Sequence, residues 1–346
     1  MNPPAPPKLP EALDRRRLLA RTLRSLVTVL LTAALALWGL RSMNLGTDSL
    51  ETITARINYG PLALALVVLV GGIVLLAFRW RALIVEREKV RILPLTGALL
   101  VGSLLNFALP GPVGEVAAAA LAARHSGISA SSALAAGVHA RFVGLGAAGL
   151  SALILVTFGT LPVDEALLRW VYLATVLIAG SSLTLLALSF HPGPLRKLSA
   201  FTIGRFRKLA SLDAAVQGFA TSLAHVGRLG WRRYALAACW AVCGHGLVVL
   251  AIWVAATGLG AVPSVAGLAF TYAMATSGAV VLVALPGTQL GWDAMFCTLL
   301  TATAGLDLAD ALVLTVLVRL QQTIVMLLGA AVLVWEDPLH DTPTWE

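Results

Sequence analysis

Long apolar runs alternate with short polar or broken stretches along the chain. Six of the runs predict helices that cross a membrane, because about 20 apolar residues span the hydrocarbon core of a bilayer. They occupy residues 25–40, 61–78, 129–158, 170–189, 234–256 and 308–334. The pattern therefore predicts an all-α polytopic membrane protein with about six full transmembrane helices.

Two further apolar stretches are each interrupted by the same tripeptide. Residues 94–124 break at Leu109-Pro110-Gly111, and residues 263–305 break at Leu285-Pro286-Gly287. If the first stretch turns back on itself, the basic segment 196–233 lies in the cytoplasm, as the positive-inside rule prefers. We therefore predict two re-entrant helical hairpins, whose broken backbone is tolerated where it lines a cavity or packs on protein. The rival interpretation counts eight apolar segments and lets all of them cross.

The sequence that follows each break also occurs twice. Glu115 precedes Arg141, and Asp293 precedes Arg319, by 26 residues in both cases (141 − 115 and 319 − 293). The predicted topology gives the two copies opposite orientations in the membrane. Opposite orientation is typical of an inverted repeat, in which the binding site lies near the midplane where the repeats meet.

Composition and charge agree with a membrane protein. The 346 residues are 58% hydrophobic and 12% charged, against about 25% charged residues in soluble domains. The net charge of +8 is concentrated in the N-terminal segment and in residues 196–233. It indicates topology and anionic lipid head groups rather than nucleic acid. Arg79-Trp80-Arg81, at the end of the second run, is typical of a cytoplasmic boundary.

These features divide the chain into a basic cytoplasmic N-terminus, one membrane domain with two halves, and a cytoplasmic tail. A basic amphipathic linker on the inner leaflet joins the halves. The predicted boundaries are 1–24 for the N-terminus, 25–335 for the membrane domain, 61–189 and 234–334 for its halves, 195–229 for the linker and 336–346 for the tail.

Arg141 and Arg319 are the central candidates for a functional site. Each lies about 11 or 12 residues into its span, which at ~1.5 Å per residue is near the middle of the membrane. Charges at that depth usually line a functional site. We expect Glu115 and Asp293 in the first turn of short helices, where a helix start plus an arginine suits a carboxylate or phosphate. The alternative is a permanent ion pair that fixes each hairpin to its neighbouring helix.

The remaining substrate-binding candidates are glycines near the breaks and two amide residues. Asn106 either caps the broken helix or contacts a head group. The sequence has no metal-ligand cluster and no Ser/His/Asp set, so we predict no catalytic residue, metal or cofactor. The set comprises Asn106, Gly111, Gly114, Gly287, Gly291 and Gln322.

The motif Asn106-x-x-Leu109-Pro110-Gly111-x-x-Gly114-Glu115, and the second break continuing to Arg319, resemble the lysylphosphatidylglycerol synthase transmembrane, or flippase-like, family. The resemblance extends from about residue 20 to 335. It implies an integral membrane protein that moves polar lipids between leaflets. Some members carry a cytoplasmic aminoacyl-transferase domain. Since this chain ends eleven residues after Trp335, we expect no aminoacylation of lipid and no enzyme.

The expected function is therefore a flippase or lipid transporter in the bacterial cytoplasmic (inner) membrane, with both termini in the cytoplasm. Its expected partner is a membrane lipid with a polar or anionic head group, held in a midplane cavity between the two hairpins. Two alternatives stay open. One is a membrane-embedded enzyme that acts on a lipid, and the other is a membrane assembly subunit that transports nothing.

Overall fold

The structure is a computed structural model that describes residues 55–108, 113–159, 161–163, 165–202, 210–282 and 288–335. All regular secondary structure in these ranges is helical, and it comprises eleven α-helices and a 3-10 turn at Arg87–Lys89. In chain order the helices are α1 (Tyr59–Leu83), α2 (Ile92–Ala108), α3 (Val113–Ser126), α4 (Ala130–Phe158), α5 (Glu165–Ser189), α6 (Gly193–Thr202), α7 (Ala210–Gly227), α8 (Trp231–Gly258), α9 (Val265–Leu282), α10 (Thr288–Thr303) and α11 (Leu308–Trp335).

Five of these helices are long and apolar enough to cross a membrane. They are α1, α4, α5, α8 and α11, and they coincide with five of the six predicted spans. The sixth predicted span, residues 25–40, lies outside the described residues. The helices confirm the prediction of an all-α, multi-pass membrane protein.

Each of the two interrupted stretches forms a pair of shorter helices. The pairs are α2 with α3 and α9 with α10, and the helices within each pair pack against each other. Gly102 and Gly114 allow the closest approach in the first pair, because a Cβ on Gly102 would lie 2.9 Å from the carbonyl oxygen of Gly114. The breaks themselves, residues 109–112 and 283–287, are outside the described ranges.

The same local structure leads into the two long helices α4 and α11. Gly127 and Gly305 precede them with positive φ angles of 63° and 75°, a conformation that glycine adopts without strain. The side chains of Ser129 and Asp307 then accept hydrogen bonds from the backbone N–H three residues later, at 3.1 and 2.7 Å. Both long helices therefore start with a side-chain cap.

The packing of the helices links the two halves of the chain. Helix α1 packs along α8, where Gly72 and Gly244 let the backbones approach, and a Cβ on Gly72 would lie 3.5 Å from the Gly244 carbonyl oxygen. Helix α2, from the first pair, packs on α11, and helix α9, from the second pair, packs on α4. Each pair therefore contacts the long helix of the other half.

The predicted linker, residues 195–229, is occupied by helices α6 and α7 in the described ranges. In α6, Leu198 and Phe201 are exposed, and this is typical of a helix that lies on a membrane surface. In α7, by contrast, Leu223 and Val226 are buried in the same cluster as side chains of α4. Helix α7 thus differs from the expected surface helix, because protein rather than lipid covers its apolar side.

Candidate functional site

The acid and the arginine of the second copy form an ion pair between α10 and α11. Arg319 donates from Nη2 and from Nε to Oδ1 of Asp293, at 2.5 and 3.0 Å. The exposed fractions of the two side chains are only 6% and 10%. This pair is therefore almost completely removed from solvent and lipid.

Other side chains complete the enclosure of Arg319. Its Nη1 donates to Oε1 of Gln322 at 2.9 Å, and its guanidinium lies 5.1 Å from the centre of the Trp292 ring. Trp292 in turn stacks on Phe296 with ring centroids 4.6 Å apart. A buried ion pair is stable only when its remaining hydrogen-bonding groups are also satisfied. Gln322 accepts one further hydrogen bond from the guanidinium, and the Trp292 ring adds a cation–π contact.

The acid and the arginine of the first copy also pair, but in a more open setting. Nη1 of Arg141, on α4, contacts Oε1 of Glu115, on α3, and the exposed fraction of the arginine side chain is 45% against 17% for the acid. The identical sequence spacing thus brings together both predicted pairs. The two sites differ in access, since Arg141 is nearly half exposed and Arg319 is enclosed.

The expected position of the acids in their helices is confirmed for one and wrong for the other. Glu115 lies in the first turn of α3. Asp293 lies in the second turn of α10, which begins at Thr288. The reason is the spacing in the sequence, because Gly287 precedes Asp293 by six residues whereas Gly111 precedes Glu115 by four.

Asn106 connects the two helices of the first pair. Its Oδ1 accepts a hydrogen bond from the backbone N–H of Gly114 at 2.9 Å, which satisfies a free donor at the start of α3. A Cβ on Gly114 would overlap both this amide and the carbonyl oxygen of Gly102. Asn106 therefore caps α3 in this structure, and Gly114 has a packing role.

Of the three remaining predicted glycines, one lies within the described residues. Gly291 lies in α10, two residues before Asp293, and is partly buried. Gly111 and Gly287 lie outside the described residues. Their proposed contact with a head group therefore stays a prediction.

Arg79 lies close to the site of the first copy, although its sequence context predicts a membrane boundary. Its guanidinium lies against Gly144 on α4, where an added Cβ would be 2.9 Å from Cζ of the arginine. The next residue, Trp80, is buried inside the protein and donates from Nε1 to the carbonyl of Ala133 at 3.1 Å. The end of α1 therefore turns into the protein rather than toward lipid head groups.

A histidine and a tyrosine complete this part of the site. His245, on α8, lies 3.0 Å through Nε2 from the carbonyl oxygen of Gly144 and 3.1 Å through Nδ1 from the hydroxyl of Tyr272, on α9. Because a carbonyl only accepts, Nε2 holds the proton. Arg79 lies within electrostatic range of Tyr272 and Arg141.

Helices α1, α4, α8 and α9 thus meet around Gly144. The available sequence signal for this cluster was the presence of ionisable residues, Arg79 and His245, within or at the end of predicted spans. That signal does not say which of them face one another.

Comparison with known protein families gives a match over most of the chain. The family model described as lysylphosphatidylglycerol synthase TM region matches residues 25–329. Searches of curated proteins and of solved structures found no match.

Proposed function

Because the chain belongs to the family of the lysylphosphatidylglycerol synthase TM region, we propose that it is a flippase that moves a polar or anionic lipid between the leaflets of the cytoplasmic membrane. The family model extends over most of the chain, and the described part is a bundle with five helices able to span a bilayer. In this proposal the protein transports lipid and does not change it chemically.

The observation that carries the proposal is the open ion pair of the first copy. Arg141 lies within a helix apolar enough to cross the membrane, yet 45% of its side chain is exposed. Exposing a guanidinium to hydrocarbon is costly, and such residues normally face a water-filled cavity or a ligand. A lipid phosphate that reaches Arg141 from the bilayer satisfies this requirement, while its acyl chains stay in the membrane.

Glu115 acts as a competitor for the same arginine. It occupies Arg141 when no lipid is bound, and a phosphate displaces it because an arginine binds two oxygens of one anion well. The first turn of α3 adds the positive end of a helix dipole next to the acid. The exchange of one anion for another lets the head group enter and leave without leaving the guanidinium unpaired.

The enclosed pair of the second copy has a different role in this proposal. Asp293 and Arg319 are surrounded by Trp292 and Gln322, so they fix α10 against α11 rather than bind substrate. The head group is therefore held on the side of the first copy.

We also propose that the two halves are related as an inverted repeat with re-entrant helix pairs. Three observations support this arrangement: the two matched ion pairs, the matched caps of α4 and α11, and the reciprocal packing of α2 on α11 and α9 on α4. Both termini then face the cytoplasm.

The test is a translocation assay with purified protein in vesicles. We expect the wild type to speed the exposure of a head-group-labelled anionic lipid to an impermeant quencher, with the mass of the lipid unchanged. Arg141→Gln should abolish this acceleration of lipid translocation. Arg81→Gln should retain it, because Arg81 lies outside the site, where its Nε donates to the carbonyl of Arg87. A changed lipid mass would point to an enzyme, and neither effect would point to an assembly subunit.

A further inference from the structure

The region around Arg141 and Arg79 contains more positive than negative charge. Glu115 faces Arg141, and no acid within the described ranges pairs with Arg79. The Nε of Arg79 is shielded from solvent and lacks a hydrogen-bond partner among the described residues. Among the described residues, the acid that forms an ion pair with one of these two guanidinium groups is Glu115, and it pairs with Arg141. In the second copy, by contrast, one arginine, Arg319, pairs with one acid, Asp293.

The neighbours of Arg79 do not supply the missing charge. His245 presents a proton to the carbonyl of Gly144, and its other nitrogen is occupied by the hydroxyl of Tyr272. Both side chains are neutral or positive in this arrangement. An uncompensated charge in a partly buried site is unfavourable unless a ligand brings the opposite charge.

We propose that Arg79 and Arg141 together bind the phosphodiester of an anionic lipid head group, and that Arg79 selects lipids with a net negative charge. This inference rests on the proposed function and names the substrate class of the same site. A phosphodiester offers two non-bridging oxygens, one for each guanidinium, and charge-assisted hydrogen bonds of this kind are strong. A zwitterionic head group brings its own cation, which the second guanidinium disfavours.

Gly144 makes the position of Arg79 possible. A Cβ at residue 144 would overlap Nη1 of the arginine and would lie 2.9 Å from Cζ. The atoms it meets are the far end of a flexible side chain, so alanine at this position would push the guanidinium aside without moving a helix. Gly144→Ala therefore displaces the charge of Arg79, whereas Arg79→Gln removes it.

The test compares lipid binding to full-length protein by native mass spectrometry. The probes are phosphatidylglycerol and phosphatidylcholine with identical acyl chains. We expect the wild type to prefer phosphatidylglycerol, and Arg79→Gln and Gly144→Ala to reduce that preference by about tenfold with little change in phosphatidylcholine binding.

The matched controls are Arg81→Gln and Gly146→Ala. The first removes an arginine from the same helix, and the second adds a Cβ that would lie 3.4 Å from Leu183, an ordinary contact. Both should keep the wild-type preference. A merely structural role of Arg79 would reduce the binding of both lipids equally, and that outcome would overturn the inference. If Arg79→Gln does not fold, Gly144→Ala decides the question.

Two further outcomes separate this inference from the proposed function. If the preference for phosphatidylglycerol depends on Arg79 but the protein translocates no lipid in vesicles, the anion site is supported and the flippase function is refuted. If the wild type translocates lipid but binds both lipids equally, selection by Arg79 is refuted and the proposed flippase function remains. Inorganic phosphate that binds the delipidated protein as tightly as the lipid would assign the site to free phosphate and overturn the lipid assignment.

Discussion

The two ion pairs should differ strongly in their contribution to stability, although their sequence spacing is identical. We expect Asp293→Asn to destabilise the protein by about 3–5 kcal/mol, the usual cost of breaking a buried pair. Glu115→Gln should cost at most about 1 kcal/mol, because Arg141 is nearly half exposed and stays hydrated in the proposed cavity, and pairs in contact with water contribute little. The difference follows from the exposed fractions, 6% and 10% in one pair and 45% and 17% in the other.

The magnitude for Asp293 comes from what the substitution leaves behind. Its Oδ1 accepts two hydrogen bonds from Arg319, at 2.5 and 3.0 Å. An asparagine keeps the size of the side chain but removes the charge. The enclosed guanidinium would then lose the carboxylate that neutralises it, while Gln322 and Trp292 add no negative charge. Removing one partner of a buried ion pair is the costly kind of change.

Reversible unfolding of purified protein in mixed detergent and dodecyl sulfate micelles measures this difference. A gap of about 2 kcal/mol or more between the two variants corresponds to a factor of roughly 30 in the unfolding equilibrium. The double variant Asp293→Asn with Arg319→Gln is the control, and it should be less destabilised than the sum of its single changes. Equal losses of stability for Glu115→Gln and Asp293→Asn would refute the link between the burial of each pair and its contribution to stability.

Three further outcomes are expected. Arg141→Lys should fold normally and lose tenfold or more in vesicle transport, roughly the effect of losing the planar fork; wild-type transport would mean that charge alone is sufficient. Gly114→Ala should lower the stability of the purified protein by about 1–3 kcal/mol through overpacking, whereas Gly180→Ala, where a Cβ meets open space, should have little effect. Reporter fusions after residues 125 and 165 should indicate the cytoplasm and the outside, and an external signal at 125 would contradict the first hairpin.

Much of the fold was predictable because membrane helices depend on simple properties of the sequence. The apolar length of a segment decides whether it can span, and five predicted spans are present as long apolar helices. A proline in the interior of an apolar run interrupts the helix, and each stretch with a Leu-Pro-Gly tripeptide accordingly gives two shorter helices. The spacing of 26 residues predicted both ion pairs, since a short helix, a capped turn and a long helix fix the distance back to the acid.

The sequence did not predict that the side chain of Arg79 lies against protein. The apolar run stops at Phe78, so an arginine directly after it looks like the end of a span. Helix α1 continues to Leu83, however, and Trp80 and Leu83 are buried. Whether a side chain at the end of a run faces lipid head groups or protein depends on what packs against it. Here the deciding residue is Gly144, which is distant in the sequence.

The difference between the two copies has a basis in the sequence that only the contacts reveal. The offset that aligns Arg141 with Arg319 also aligns Gly114 with Trp292 and Gly144 with Gln322. In the second copy, the tryptophan lies over the guanidinium and the glutamine accepts its hydrogen bond.

In the first copy, glycines stand at both of those positions. Gly114 supplies no side chain to cover Arg141, and Gly144 provides the space that the guanidinium of Arg79 occupies. One pair of positions therefore distinguishes an enclosed ion pair from an open site with an additional positive charge. These glycines at the positions of the covering residues, more than the shared acid and arginine, are the reason why we propose the head-group site in the first copy.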